Sequence, residues 1–366
     1  MSTPAQLRGY LLEEALAWLL RHSGYRLLVD WRQDPEELVR NGDGLCVKGR
    51  GAEHQVDVLG EFAFTPAFSL PIRLFLEAKF TRQKTDLPVV RNAHGVIHDI
   101  NENFVHGPGQ RLRRRFRYVY AVFSAKGFTK NAQDFALAQQ ISLVDLSGAS
   151  FGWLRDAVEA AASELYRLQE EYRIQRFPVS WMRGQLRSQL GTLPSLAESD
   201  QVPRLAETES KEFAVHAYPV LDILTHTLQE RMRTELLLGF PAAPFVLPLA
   251  VDDVTWFLNY ASVLPDHRIR LRRAVQGTQT EWRVSPVDQE NHMHGKLEEY
   301  QLAFNLPEHL ESWISENEQD RATRARAVKQ QFLSDIVIYR MEGDSLQTFQ
   351  LHYQPGDLNR RRRSHG

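Results

Sequence analysis

The 366-residue chain has one cysteine, Cys46, and lacks long uninterrupted hydrophobic runs. A single cysteine excludes internal disulfide bonds and any zinc cluster built on several cysteines. The longest apolar run, residues 242–251, is far shorter than a bilayer span and contains prolines. The start shows no signal-peptide pattern, because residues 1–8 lead directly into an amphipathic helix. We therefore expect a cytoplasmic protein with no membrane partner.

The chain also lacks the Gly-x-x-x-x-Gly-Lys-Ser/Thr loop with which many NTPases hold phosphates. Gly295-Lys296 has neither the upstream glycine nor the following hydroxyl residue. Any NTP-driven movement would therefore have to come from a partner protein that supplies NTPase or sensing functions.

The length exceeds one typical domain, so two or three domains are expected. We predict a first domain over residues 1–150, a helical connector and linker over 151–210, and an α+β accessory domain over 211–366. Residues 192–210 are rich in Pro, Ser and Glu, which favours a linker. Net charge is −2 overall but positive over residues 1–150, which is compatible with a polyanionic substrate.

Hydrophobic periodicity predicts an α/β protein in which a mixed sheet is flanked by helices. Residues 34–51 are polar and glycine-rich and are predicted to form a loop. The region after residue 211 is predicted to contain a helix at 218–238 and a β-rich part at 245–353. In the first part of the chain, the predicted helices are 7–22, 86–104, 130–140 and 151–174, and the predicted strands are 25–31, 54–64, 71–80, 118–125 and 141–146.

Acidic and basic side chains interrupt two of the apolar predicted strands. Asp57 lies in the first, and Glu77-Ala78-Lys79 lies in the second. The two-residue period of a strand places Glu77 and Lys79 on one face. Neighbouring antiparallel strands would bring Asp57 close to them, and such carboxylates can hold a hard divalent cation while the lysine orients a water. This arrangement favours phosphodiester hydrolysis; the alternative is a surface strand with an ordinary Glu–Lys pair.

Four segments, in this order, resemble the Mrr-like restriction endonucleases of the PD-(D/E)xK nuclease superfamily. The similarity covers residues 7–147, and each segment alone is a weak motif. The sequence departs from the family where Glu53 replaces a frequent Asp, where His54-Gln55 replace glycines, and where Glu77 replaces a frequent Gln. The segments are Gly9–Glu13 with Leu19-Leu20 and Gly24-Tyr25, then Gly51–Val58, then Leu76–Lys79, and finally Ala121–Thr129 with Ile141–Asp145.

The resemblance implies a restriction-endonuclease-like fold with an αβββαβ core, followed here by the α+β domain. It implies Asp57 and Glu77 as ligands of Mg²⁺ or Mn²⁺, with the backbone carbonyl of Ala78 as a further ligand. Lys79 would position the water or stabilise charge, and Glu13 would be an auxiliary carboxylate. Glu14 is predicted to be a solvated surface residue, because adjacent helix residues point about 100° apart.

A run of arginines precedes the predicted strand 118–125 and is predicted to contact DNA phosphates. The alternative is a charged strand edge that resists aggregation. The run consists of Arg111, Arg113, Arg114, Arg115 and Arg117.

The resulting hypothesis is a Mg²⁺-dependent DNA endonuclease, and the resemblance implies a restriction or anti-phage defence role. DNA is the predicted partner, and a homodimer is expected because cutting two strands with one site usually needs two copies. Two alternatives stay open: a nuclease-fold module that binds nucleic acid or scaffolds a complex without cutting, and a repair-type nuclease that acts on junctions or damaged ends.

Overall fold

The computed structural model describes residues 3–42, 44–103, 114–193, 211–243, 245–276, 279–287, 299–343 and 345–353. The first part of the chain forms α1 (Pro4–His22), β1 (Tyr25–Leu28), β2 (Leu38–Asn41), β3 (Gly44–Lys48), β4 (Glu53–Val56), β5 (Val58–Phe62), β6 (Ile72–Lys79), α2 (Leu87–Asn101), β7 (Arg117–Ser124), α3 (Lys130–Gln139) and β8 (Ser142–Asp145). The second part forms α4 (Gly152–Glu171), α5 (Val179–Leu190), α6 (Lys211–Glu235), β9 (Leu236–Pro241), β10 (Leu247–Val251), α7 (Val254–Val263), β11 (Asp266–Gln276), β12 (Gln279–Pro286), β13 (Leu302–Phe304), α8 (Glu308–Ser315), α9 (Arg321–Gln331), β14 (Asp335–Glu342) and β15 (Ser345–Tyr353).

Helix α1 is the central helix of the first half. It begins with a capping box in which the Thr3 hydroxyl accepts from the Gln6 amide and the Gln6 side chain accepts from the Thr3 amide. Every residue from Leu11 to Leu20 is buried, so the helix is covered on all sides. One side packs on β1, β5 and β6, and the other packs on α4 and α5.

A five-stranded mixed sheet in the order β1-β5-β6-β7-β8 lies beneath α1. The pairs β1–β5 and β5–β6 are antiparallel, whereas β6–β7 and β7–β8 are parallel. Along β6, Leu74, Leu76 and Ala78 belong to the core beneath α1. Phe75 lies on the opposite face, where its ring stacks on Tyr120 at 4.8 Å. The predicted α/β class with helices flanking a mixed sheet is confirmed.

The prediction of a loop over residues 34–51 is wrong. These residues contain β2 and β3, which form a hairpin and pair with β4 in a separate three-stranded sheet. The predicted strand 54–64 is also broken at Asp57, because β4 pairs with β3 whereas β5 pairs with β1 and β6. The break lets one stretch of chain leave the small sheet and enter the large one.

Helices α4 and α5 cover the outer side of α1, α6 packs on both of them, and all three share its hydrophobic core. The predicted helices 151–174 and 218–238 are present as α4 and α6, and α5 was not predicted. Most of the predicted linker lies outside the described residues. None of the helices in the described ranges has the length and apolar composition needed to cross a bilayer.

The β-rich part predicted after residue 245 is confirmed, but its closure was not predicted. Seven strands form a closed barrel in the order β10-β13-β12-β11-β15-β14-β9. All pairs are antiparallel except β11–β15. Fully buried aromatic side chains, including Phe257, Trp282 and Phe304, fill its core.

The barrel packs against the turn between α1 and β1. Gly24 adopts a positive φ of 92°, and a Cβ atom there would lie 2.8 Å from Leu346 Cδ1. The rings of Phe62 and Tyr339 meet edge to face at 4.9 Å beside it. Glycine at this position therefore permits both the turn and the close approach of the barrel.

Candidate active site

Asp57 occupies the junction between β4 and β5. Its Oδ2 atom accepts a hydrogen bond of 2.8 Å from the backbone N–H of Ala78 on β6. Its other carboxylate oxygen, Oδ1, receives no hydrogen bond from the described part of the chain. Burial raises the pKa of the Asp57 carboxyl, and nearby Glu77 raises it further. The Ala78 N–H, Lys79 and Arg183 act in the opposite direction.

Glu77 and Lys79 lie on the sheet face that carries Phe75 and Tyr120. Lys79 Nζ is 2.5 Å from Glu77 Oε1, and the Tyr120 hydroxyl donates to Glu77 Oε2 at 2.8 Å. Burial raises the pKa of Tyr120, and Glu77 raises it further, so the phenol remains a proton donor at neutral pH. Both oxygens of the Glu77 carboxylate are thus held in fixed positions.

The carbonyl of Ala78 lies on the Asp57 side of β6. In a strand, the N–H and C=O groups of one residue point toward the same neighbour, and successive residues alternate. The Ala78 N–H points to Asp57, and the carbonyl of Lys79 accepts from Ala125 at the other edge. The Asp57 carboxylate and the Ala78 carbonyl therefore lie on the same side of β6.

Glu13 reaches the same region from α1. It forms an ion pair with Arg183 of α5, whose guanidinium lies over the Tyr10 ring at 4.9 Å. Burial raises the pKa of Glu13 to about 8, although Arg183 lowers it. Asp57 and Glu14 raise it further. The effect of Asp57 on this pKa reflects the proximity of the two carboxylates.

The prediction that Glu14 is a solvated residue is wrong. Its side chain is 2% exposed, because α5 covers this part of α1. Arg187 holds both Glu14 oxygens, at 2.8 and 2.9 Å, and Arg183 adds a third contact at 3.3 Å. Two adjacent carboxylates therefore face two arginines from one turn of α5.

A cavity of about 420 Å³ opens beside Asp57. Its walls come from α1, from α5, from the β2–β3 hairpin and from residues 28–32. Asp57 and Glu13 both line it. Glu77 and Lys79 lie outside it, on the Tyr120 face of the sheet. Asp57 thus connects the cavity with the Glu77–Lys79 pair.

The donor set fits a hard cation such as Mg²⁺. Across the described residues, no three His, Cys, Asp or Glu side chains are arranged to hold a metal ion. Mg²⁺ in proteins keeps several waters and is usually bound by only one or two carboxylates. Asp57 Oδ1, the Ala78 carbonyl and Glu77 are all oxygen donors, and no hydrogen bond from the described residues competes for Oδ1. These residues could therefore hold Mg²⁺ or Mn²⁺.

The described members of the arginine run, Arg114, Arg115 and Arg117, lie at the opposite end of β6 and β7 from Glu77. Arg111 and Arg113 are outside the described residues. Arg117 pairs with Ile72 at the start of β6, and Glu77 lies five residues further along, which is about 17 Å at 3.3 Å per residue. Arg114 lies over the Phe116 ring at 5.0 Å. The structure does not bring these arginines next to Asp57.

Sequence reasoning missed Arg183, Arg187 and Tyr120. Each is distant in sequence from the motif and lies in an otherwise ordinary helix or strand, so no short-range pattern distinguishes it. A weak signal was available for the arginines. They are separated by four positions, as i and i+4 on one helix face, and two adjacent carboxylates within the otherwise apolar run of residues 11–20 need buried partners.

Comparison of the chain with known protein families and with curated proteins gives no match. A solved structure of a protein of unknown function, AF1548, is similar at 14% sequence identity and a TM-score of 0.32. The similarity covers 60% of this chain and 98% of the other. A similarity of this size supports no conclusion about function.

Proposed function

We propose that the chain is a metal-dependent DNA endonuclease with a restriction-endonuclease-like fold, which acts as a restriction or anti-phage defence effector. One observation carries the proposal: Asp57, at the break between β4 and β5, accepts a hydrogen bond from the backbone N–H of Ala78, the residue between Glu77 and Lys79. A carboxylate, a second carboxylate and a lysine thereby meet at one edge of a mixed sheet. The order of elements around that sheet supports the same assignment.

Each residue has a role in this proposal. Asp57, Glu77 and the Ala78 carbonyl would hold a Mg²⁺ or Mn²⁺ ion. When bound, the cation offsets charge on the scissile phosphate and lowers the pKa of a bound water. Lys79 donates hydrogen bonds to the attacking water or to a phosphate oxygen, and its contact with Glu77 fixes its position. Glu13, held by Arg183, acts as the auxiliary carboxylate.

The arginine run supplies DNA contacts away from the cleaved bond. Arg114, Arg115 and Arg117, together with Arg111 and Arg113, would hold backbone phosphates rather than read bases. The distance between Arg117 and Glu77 requires the DNA to extend along the strands of the sheet. Cleavage of both DNA strands would need a second copy of the chain.

The proposal is tested by plasmid nicking with purified protein in Mg²⁺, Ca²⁺ or EDTA. We expect nicking in Mg²⁺ that is absent in EDTA. Asp57→Asn keeps the shape of the side chain, and Lys79→Ala removes the ammonium; either should lower the rate at least about 100-fold, as the loss of one preorganised catalytic group does. Asp222→Asn, at an exposed position of α6, is the matched control and should cleave normally.

Full activity of both Asp57→Asn and Lys79→Ala would exclude this site. DNA binding without cleavage under all conditions would favour the non-cutting module. Cleavage restricted to junctions or damaged ends would identify a repair-type nuclease instead of a restriction effector.

A further inference from the structure

The cavity beside Asp57 has the size of a small-ligand site. Its volume of about 420 Å³ falls within the roughly 300–1,000 Å³ of pockets that take small molecules. A double helix, whose major groove alone is about 12 Å wide, does not fit into it. The β2–β3 hairpin and α5 both line it, so a ligand beside Asp57 would lie between them.

An aromatic side chain forms part of the cavity wall. Trp31 lies in a short 3₁₀ helix and is 39% exposed, although large apolar residues are usually buried. The turn that carries it is fixed, because Asp30 caps it and pairs with Arg32 at 2.9 Å. Such a ring offers a stacking surface for a nucleobase, and stacking needs no particular base sequence.

Two arginines of α5 that also line the cavity retain hydrogen-bond donors. Arg187 uses Nε and Nη2 to hold Glu14, and Arg183 uses Nη1 and Nη2 to hold Glu13 and Glu14. Arg187 Nη1 and Arg183 Nε donate to no acceptor within the described ranges. Both guanidinium groups are fixed by their carboxylate partners, and fixed guanidinium donors suit phosphate oxygens.

We propose that this cavity binds one unpaired nucleotide of the DNA strand that is cleaved, with its base against Trp31 and its phosphate on Arg183 and Arg187. The inference rests on the proposed nuclease function and adds a substrate class to it. DNA with an unpaired nucleotide next to the scissile bond, as in a bubble or an overhang, is preferred over continuous duplex. Asp57, which lines the cavity, links the bound nucleotide to the hydrolytic site.

The test measures binding separately from cleavage. Fluorescence anisotropy in EDTA compares one short labelled DNA duplex in three forms: fully paired, with an internal bubble, and with a single-stranded overhang. The unpaired forms should bind at least about 5-fold more tightly, as expected for one stacked base. Trp31→Ala should abolish this preference and leave binding of the paired duplex unchanged, whereas Trp31→Phe should retain it.

Trp256→Ala provides the matched control, because Trp256 is similarly exposed, at 44%, but lies on α7. The proposal is overturned if the three DNAs bind equally, if none binds, or if Trp31→Ala behaves like Trp256→Ala. A preference for unpaired DNA without Mg²⁺-dependent cleavage would contradict the proposed nuclease function and leave the nucleotide site standing. Cleavage of paired and unpaired DNA at equal rates would contradict the nucleotide site and leave the nuclease function standing.

Discussion

At the scale of single residues, the site concentrates carboxylates where water is largely excluded. Burial raises the pKa of Glu13, and the nearby Asp57 carboxyl raises it further. Burial also raises the pKa of Asp57, and nearby Glu77 adds to this rise. Burying such carboxyl groups costs stability, and groups with shifted pKa values cluster at functional sites, which is compatible with the proposed site.

The raised pKa of Glu13 predicts a pH-dependent stability. The folded-state pKa of about 8 exceeds the ordinary value of 4.5, so the folded protein binds more protons than the unfolded chain between these values. The stabilisation of the folded state by proton binding to Glu13 is therefore complete below about pH 4.5 and is lost as the pH rises to about 8. Glu13→Gln lacks this dependence. The melting temperature of Glu13→Gln minus that of the unmodified protein should therefore be at least about 2 °C larger at pH 8.5 than at pH 5.

Differential scanning calorimetry in EDTA measures this change. Glu318→Gln is the control, because Glu318 is 87% exposed and its replacement should shift the melting temperature equally at both pH values. A constant difference between Glu13→Gln and the unmodified protein would show that Glu13 is charged throughout this range, held so by Arg183.

At the scale of helices and strands, the sequence predicts elements well where periodicity is local. The apolar pattern locates α1, β6, β7 and α3, and the two-residue period places Glu77 and Lys79 on one face. The hairpin of β2 and β3 was missed because its polar, glycine-rich sequence resembles a loop. Its strands are stabilised by pairing with β4 and by burial of Leu38 and Val47, which are tertiary effects.

The contact between α1 and α5 predicts that removing a buried arginine lowers the free energy of unfolding more than removing an exposed one. Arg187→Ala would leave the fully buried Glu14 with only Arg183 as a partner, and loss of a buried partner costs about 3 kcal/mol. Arg167→Ala removes two exposed ion pairs on α4, with Glu164 and Glu171, and should change the free energy of unfolding much less, because exposed ion pairs contribute little. Urea denaturation measures both changes in the free energy of unfolding. Equal effects would mean that Glu14 is not fixed by Arg187.

At the scale of the whole molecule, long-range pairing sets the features that the sequence does not reveal. Closure of the barrel depends on β11 pairing in parallel with β15, far along the chain. Arg183 and Arg187 lie beside Glu13 and Glu14 because α5 folds back on α1. The parallel pairing of β6 with β7 separates Arg117 from Glu77, although both were predicted to contact one substrate.

This separation predicts that the arginine run affects binding but not the chemical step. Arg117 lies about 17 Å from Glu77 along the strands, a distance that spans about five phosphates at 3.4 Å per nucleotide. Arg113→Ala and Arg115→Ala should each weaken DNA binding and reduce the slope of log K against log salt by about 0.9. Arg272→Ala, at an exposed position of the barrel, should leave the slope unchanged. At saturating protein, the single-turnover cleavage rate should remain normal in all three variants. A reduced rate for Arg115→Ala would place the run at the reacting phosphate and contradict the geometry of the sheet.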